Sequence, residues 1–462
     1  MTAPRHPELL APAGSLAMMR TAFAYGADAV YAGQPRYSLR VRNNDFGRLD
    51  TLAAGIAEAH AAGKQFYLVS NIVAHNAKLR TYLDDMAEVV ALRPDALIMA
   101  DPGLIMLVRE RWPELPVHLS VQANTTNWAA VRFWQSAGVR RVILSRELSL
   151  DEVAEIRDAC PNMELEVFVH GALCIAYSGR CLLSGYFNHR DPNQGTCTNS
   201  CRWDYKLHEA TEDGAGDARP SGATPLGNPK GSGTVGTAVQ GPPALGGGPR
   251  HLGGSKVWLL EEGSRPGERM PVEEDEHGTY ILNSRDLRAI EHVRRLVDIG
   301  VDSLKIEGRT KSPYYVARTA QGYRRAIDDA LAGRPFDPRL LGELEGLASR
   351  GYTDGFYQRH HTPDQQNYLR GHSESGRSLY VADLAGFDAA RGLAELSARN
   401  TFGLGDRLEF VQPGGNVETV VDRLEDADGH PIERVPGSGH RAWLPLPAGV
   451  DAAAPCFIAR FL

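Results

Sequence analysis

Short apolar runs alternate with amphipathic stretches through most of the chain, and this alternation predicts repeated strand–helix units. The runs fall at 8–11, 29–32, 66–69, 96–100, 117–121, 141–144 and 165–169, with a late one at 303–306. Helix-period stretches at 15–25, 50–62, 79–92, 128–137 and 150–158 lie between them, and Gly26, Gly63 and Pro94 mark joins. Units at this pitch imply a parallel sheet, and eight strands fit an α/β fold of the (β/α)8, TIM-like barrel type. A long helical stretch at 312–332 follows the last run. From Ser378 onward the pattern changes to short strands and turns at 378–383, 407–411, 418–423, 442–446 and 456–461, which predicts a small C-terminal β-barrel domain.

Between these regions the pattern breaks. Residues 209–255 are rich in Gly and Pro and hold no aromatic residue, Ile or Met. Such a stretch cannot bury enough apolar surface to offset its ordering entropy, so it reads as a disordered insertion. It contains Gly231-Ser-Gly-Thr-Val-Gly236, formally GxGxxG. No strand precedes it, and we reject it as a dinucleotide site. The expected organisation is a catalytic barrel from 1–208 and 256–335 with a cysteine-containing insertion, a connector at 336–377 and the β-barrel at 378–462.

Polar residues stand where successive strands end: Asn71, Asp101, Gln122, Arg146, His170 and Glu307. In a barrel those ends converge on one face, where active sites lie. His170 and Glu307 suit acid–base work, with Arg146 and Arg309 as anion clamps. HExxH, GxSxG and Walker A patterns are absent, which removes the signatures of zincins, α/β-hydrolases and P-loop enzymes.

Composition narrows the chemistry. The 462 residues are 42% hydrophobic and 23% charged, ordinary values for a globular chain. No apolar run reaches the roughly 20 residues of a membrane helix, and the N-terminus lacks a signal-peptide pattern, so a cytoplasmic protein without membrane association is expected. Of six cysteines, Cys160 and Cys456 stand apart, whereas Cys174, Cys181, Cys197 and Cys201 form C-x6-C-x15-C-x3-C directly after a strand. In a reducing compartment four such thiols read as a metal site. Structural zinc sites use closely spaced pairs, and only Cys197 and Cys201 meet that spacing. A [4Fe–4S] cluster and zinc both remain open on spacing. The net charge of −7 restricts any RNA contact to local basic patches. One candidate spans 305–325, with Lys305, Arg309, Lys311, Arg318, Arg324 and Arg325 among Tyr314, Tyr315 and Tyr323; a second holds Arg36, Arg40, Arg42 and Arg48 beside Tyr37.

Several longer motifs resemble peptidase family U32: Glu8-Leu-Leu-Ala-Pro-Ala-Gly14, Ala29-Val-Tyr-Ala-Gly33, Arg146-Glu-Leu148, Val169-His-Gly-Ala-Leu-Cys174, Ser178-Gly-Arg-Cys181 and Leu304-Lys-Ile-Glu-Gly-Arg309. Residues 31–43 and 190–197 are similar to the tRNA-hydroxylating branch of that family. The resemblance implies formation of 5-hydroxyuridine at wobble position 34 of tRNA, with prephenate as co-substrate and a requirement for iron–sulfur assembly machinery. It implies that Cys174, Cys181, Cys197 and Cys201 ligate a [4Fe–4S] cluster. Under this reading His170, Glu307 and Arg309 are catalytic, while Arg40, Arg42, Asn71, Gln122, Arg146, Lys305, Lys311 and Tyr314 bind prephenate and the tRNA anticodon stem-loop. The competing readings are a U32-type protease and a hydroxylase of ribosomal RNA or another substrate.

Overall fold

The computed structural model describes residues 6–33, 36–39, 44–173, 286–347, 351–358 and 378–462, together with the backbone of strands at 205–212, 218–220, 257–262, 269–272, 274–275 and 278–279. The barrel opens with β1 (Glu8–Pro12), α1 (Leu16–Ala24), β2 (Ala29–Gly33), α2 (Leu49–Ala61), β3 (Gln65–Ser70), α3 (Asn76–Ala91), β4 (Ala96–Met99) and α4 (Pro102–Arg111). It continues through β5 (Val117–Leu119), α5 (Trp128–Ser136), β6 (Arg141–Ile143), α6 (Leu150–Ala159) and β7 (Glu164–Ala172). Local chemistry sets the helix starts: Ser15, Asp101 and Asn127 cap with side-chain oxygens, and Ser149 with Glu152 forms a capping box.

A separate unit, 201–283, carries β8 (Tyr205–Glu212), β9 (Ala218–Pro220), β10 (Val257–Glu262) and β11 (Arg269–Val272) in one antiparallel sheet, and β12 (Glu274–Asp275) with β13 (Gly278–Thr279) in a two-stranded one. Strand therefore runs through 209–212 and 218–220, inside the stretch expected to be structureless. β8 lies between β9 and β10: residues 210–212 pair with 218–220 in a short antiparallel hairpin, and Ala210 stands opposite Val257 of β10, a distant partner that lends a Gly- and Pro-rich stretch order its own composition does not signal. Residues 221–256 lie outside the described residues.

The chain returns with β14 (Asp286–Arg288), α7 (Val293–Ile299), β15 (Ser303–Ile306), α8 (Pro313–Leu331), α9 (Arg339–Glu345) and β16 (Tyr352–Thr353). Strands β1 to β7 pair in parallel order, and β15 pairs with both β1 and β7, closing an eight-stranded parallel barrel. Strand β7 outruns the others. Its first part pairs with β6 and β15, while His170 to Ala172 pair antiparallel with β14, which carries β16 on its far edge. A small flap thus rises from the barrel at His170. The expected connector contributes to it: β16 joins the sheet, and Leu340, Leu344 and Tyr357 enter the barrel's core cluster.

The barrel interior is charged at the N-terminal strand ends, where branched aliphatic layers are usual. Glu8 accepts from Tyr67 Oη (2.6 Å), Ser303 Oγ (3.0 Å) and Arg141 Nη1 (2.7 Å). Arg141 also reaches Glu164 and Glu166, and Lys305 Nζ donates to Glu166 at 2.8 Å. His118 lies in the same interior, held neutral by burial and then by the Arg141 and Lys305 charges.

The C-terminal domain comprises β17 (Ser378–Asp388), β18 (Leu393–Ala398), β19 (Phe402–Gly403), β20 (Arg407–Val411), β21 (Val417–Val420), β22 (Arg434–Val435), β23 (Arg441–Pro445) and β24 (Phe457–Phe461). Six of these form a curled antiparallel sheet in the order β21-β20-β24-β17-β18-β23 around Leu396, Leu408, Phe410 and Ile458. The domain is fastened to α8. Arg318 forms a buried bidentate pair with Glu409, Gln321 Nε2 donates to Gln412 O (2.8 Å), and Tyr314 stacks on Tyr380 with centroids 4.7 Å apart.

Candidate active site at the barrel mouth

Four tyrosine hydroxyls pin the backbone carbonyls at the ends of β7 and β15. Tyr31 donates to Ile306 O (2.9 Å), Tyr315 to Glu307 O (2.8 Å), Tyr323 to Val169 O (2.6 Å) and Tyr357 to Phe168 O (2.5 Å). The two strands that deliver His170 and Glu307 are therefore rigid where they reach the mouth. Gly171 makes their close approach feasible. Its φ is +107°, and a Cβ there would lie 2.6 Å from Glu307 O.

His170 is buried among Tyr315, Tyr323 and Tyr352, with ring centroids 5.4 to 5.8 Å away. Burial, against an opposing pull from Asp286, pushes its pKa down to about 3, so the imidazole is neutral. Tyr323 gives its own proton to Val169 O and accepts the Ala289 N–H, and its oxygen lies 3.4 Å from His170 Nδ1. This assigns the Nδ1–H tautomer and leaves Nε2, which has no partner among the described residues, as a bare acceptor. His170 is not a proton donor near neutral pH.

Glu307 receives Arg146 Nη2 at 3.3 Å, and the Arg146 guanidinium lies 3.9 Å from the Phe168 ring centroid. Arg309, 8% exposed, sits 5.7 Å from the Tyr31 ring, two strands along the barrel wall. Lys305 Nζ lies 4.3 Å from the same ring, from below. Burial first, then the Glu307 carboxylate, pushes the Tyr31 phenol far above its usual range. Two aromatic rings, a carboxylate and guanidinium groups thus gather at the C-terminal strand ends, groups of the kind that recognise a planar or anionic ligand.

A family model described as Peptidase family U32 matches residues 14–367, and a model of the U32 C-terminal domain matches 377–455. The chain belongs to peptidase family U32. Its U32 relatives include "tRNA hydroxylation protein P" of Escherichia coli strain K12, 58% identical over 96% of this chain and 95% of that protein. The protein of the same name from Haemophilus influenzae is 54% identical over 98% of this chain and 95% of its own length. A third, the Escherichia coli "23S rRNA 5-hydroxycytidine C2501 synthase", is 27% identical over 83% of this chain and 47% of its own length.

Within this U32 barrel the structure gathers Arg146, Glu307 and Arg309 around Tyr31. His170 meets Glu307 through its backbone carbonyl, while its ring lies apart among Tyr315, Tyr323 and Tyr352. Other expectations change. Lys305 points into the barrel and is bound by Glu166, so it supports the floor under Tyr31 and does not reach a ligand at the rim. Tyr314 is buried between α8 and the C-terminal sheet, where Tyr380 occupies its face. Asn71 uses Oδ1 on Leu39 N–H and Nδ2 on Ser120 Oγ, which makes it a brace for the loop after β2. Asp101 caps α4 and holds Ala74 N–H.

The 305–325 stretch is not an open basic face. Lys305, Arg309 and Arg318 are buried, Arg324 pairs with Asp28 and Asp328, and Arg325 pairs with Glu343. Tyr314, Tyr315 and Tyr323 are buried as well. In the second patch Arg36 pairs with Asp85 and Arg48 with Asp50. Gln122 is half-buried at the mouth, and Lys311 lies 5.3 Å from the Tyr315 ring. Arg40, Arg42, Cys174, Cys181, Cys197 and Cys201 lie outside the described residues. Sequence reasoning missed Tyr31 and Phe168, whose rings face Arg309, Arg146 and Lys305; inward parity with Gly33 and Glu166 on their strands is the signal that carries them.

Proposed function

We propose that this chain is a tRNA-modifying hydroxylase that converts the wobble uridine, position 34, to 5-hydroxyuridine, with prephenate as co-substrate and a [4Fe–4S] cluster on Cys174, Cys181, Cys197 and Cys201. The observation that carries the reading is the near full-length likeness to proteins named for tRNA hydroxylation, in a chain whose long β7 leads from the barrel mouth into the cysteine segment. Four thiolates are a donor set that suits iron–sulfur, and Leu173 at the end of the flap is the residue before the first of them. A cluster bound there would supply electron transfer, and replacing hydrogen by hydroxyl on a pyrimidine carbon is a net two-electron oxidation.

The chain's own residues contribute placement. Arg146 and Arg309 offer positive charge to the two carboxylates of prephenate. Phe168 and Tyr31 provide faces for a ring. The anionic pair partner of Arg146, Glu307, keeps the mouth from becoming a general phosphate trap, so that an unstacked base enters in preference to backbone.

The test is nucleoside mass spectrometry of tRNA from a strain lacking the gene, complemented with the wild type or with Cys181→Ser. Loss of 5-hydroxyuridine derivatives, restored by the wild type alone, is expected. Unchanged tRNA with altered 5-hydroxycytidine in ribosomal RNA would shift the substrate to rRNA. Peptide hydrolysis that survives Cys181→Ser would support a protease.

A further inference from the structure

We propose that Ser38 is a ligand-binding residue, forming with Arg309 a subsite for an oxyanion at the C-terminal end of β2. Ser38 is 1% exposed, and its Oγ has no hydrogen-bond partner among the described residues. Burying a hydroxyl without a partner is destabilising, and folded chains seldom leave such a group alone without a purpose. The hydroxyl is also held in place from both sides. Tyr37 Oη bonds to Asp85 on α3, and Leu39 N–H donates to Asn71 Oδ1 at 3.2 Å.

Gly33 explains what the hydroxyl faces. A Cβ on Gly33 would approach both Ser38 Oγ and Arg309 Nη1 closer than 3.0 Å, where Cβ atoms are essentially never found. The serine hydroxyl and the guanidinium edge therefore share the small space that the missing side chain leaves at the strand end. Asn44 Nδ2 already donates to Gly33 O at 2.5 Å, so the strand-end carbonyl is not the hydroxyl's acceptor. A hydroxyl donor beside a guanidinium, with no carboxylate of the protein on the hydroxyl, matches a ligand oxyanion that accepts from both. Two sources have that chemistry, the carboxylate of a small co-substrate and a phosphate of the RNA.

The choice of probes rests on the functional reading above. Thermal unfolding of the full chain is followed with prephenate, with inorganic phosphate and with an anticodon stem-loop, for the wild type and Ser38→Ala. Removing an unpartnered hydroxyl leaves the ligand-free midpoint unchanged or higher. It weakens the anion at least ten-fold, so most of the ligand-dependent shift disappears. Loss of the prephenate shift identifies a carboxylate; loss of the phosphate and stem-loop shifts identifies a phosphate. A Ser38→Ala protein that melts lower when ligand-free and keeps the full ligand shift overturns the proposal, because the hydroxyl is then structural. A wild type that responds to none of the three probes overturns it too. Nucleoside analysis of tRNA judges the hydroxylase reading separately.

Discussion

Replacing Glu166 with leucine strands one cation, Lys305, in the barrel interior and removes one of three carboxylates from Arg141. Glu166 is fully buried and accepts from Lys305 Nζ at 2.8 Å and Arg141 Nη1 at 3.1 Å. Arg141 retains Glu8 and Glu164, whereas Lys305, 4% exposed at its side chain, has no other salt-bridge partner among the described residues and keeps the Tyr31 and Phe168 rings. Removing one member of a buried pair costs about 3–5 kcal/mol, and the loss falls mainly on Lys305. Burial already lowers the Lys305 pKa in the native protein. Without Glu166 it falls further, and the ammonium sheds its proton in the folded state while keeping it in the unfolded chain. The unfolded state then binds more protons, so the deficit shrinks as pH rises toward the ordinary lysine range. Urea unfolding followed by circular dichroism at pH 7 and pH 9 measures it. The double variant Glu166→Leu/Lys305→Met removes both charges, and recovery to within about 2 kcal/mol of the wild type is expected. A single-variant loss under about 1 kcal/mol, or a double variant no better than the worse single, would refute the reasoning.

Gly171→Ala places a methyl 2.6 Å from Glu307 O at φ +107°, and a thermal midpoint several degrees lower with loss of tRNA hydroxylation is expected. His170, held to about pKa 3, contributes a stability that is complete above its unfolded pKa near 6.5 and is lost as pH falls through 6.5 toward 3. The slope is about 1.4 kcal/mol per pH unit in that window, and His170→Gln should flatten it in acid-titrated urea melts. Arg318→Met leaves Glu409 buried and unpaired at the junction with the C-terminal domain, so limited proteolysis should cleave between the domains faster than in the wild type, with unchanged rates counting against a docked arrangement. Cys197→Ser should lose iron and sulfide in anaerobically purified protein, and a wild type that carries zinc alone would remove the cluster from the proposed function.

Much of the barrel was legible because its signals are local. Each strand is a short apolar run, and the helix-period stretches between them, with Gly26, Gly63 and Pro94 at the joins, depend on a few neighbouring residues; α4, capped by Asp101, was not among those stretches. The meeting of Arg146 with Glu307 follows from closing a parallel barrel, which brings strand ends to one face, whereas the tyrosine pocket around the His170 ring left no mark in the sequence. The roles of Lys305 and Arg318 were not legible either. Each reads as a free cation in sequence, yet its neutralising carboxylate, Glu166 or Glu409, lies 139 or 91 positions away. The basic stretch 305–325 consequently looked like an RNA-binding face and is mostly interior.

The sequence by itself determined the strand–helix alternation, the change to a β-rich C-terminal domain, the four-thiol pattern and the family. These follow from periodicity and contiguous motifs, which need no knowledge of what packs where. Only the tertiary structure decided which charged groups face each other, which tyrosines pin the mouth, and that Ser38 and Arg309 share the space beside Gly33. Electrostatic pairing and steric fit act through distance in space, and residues that meet across the barrel carry no mark of one another along the chain.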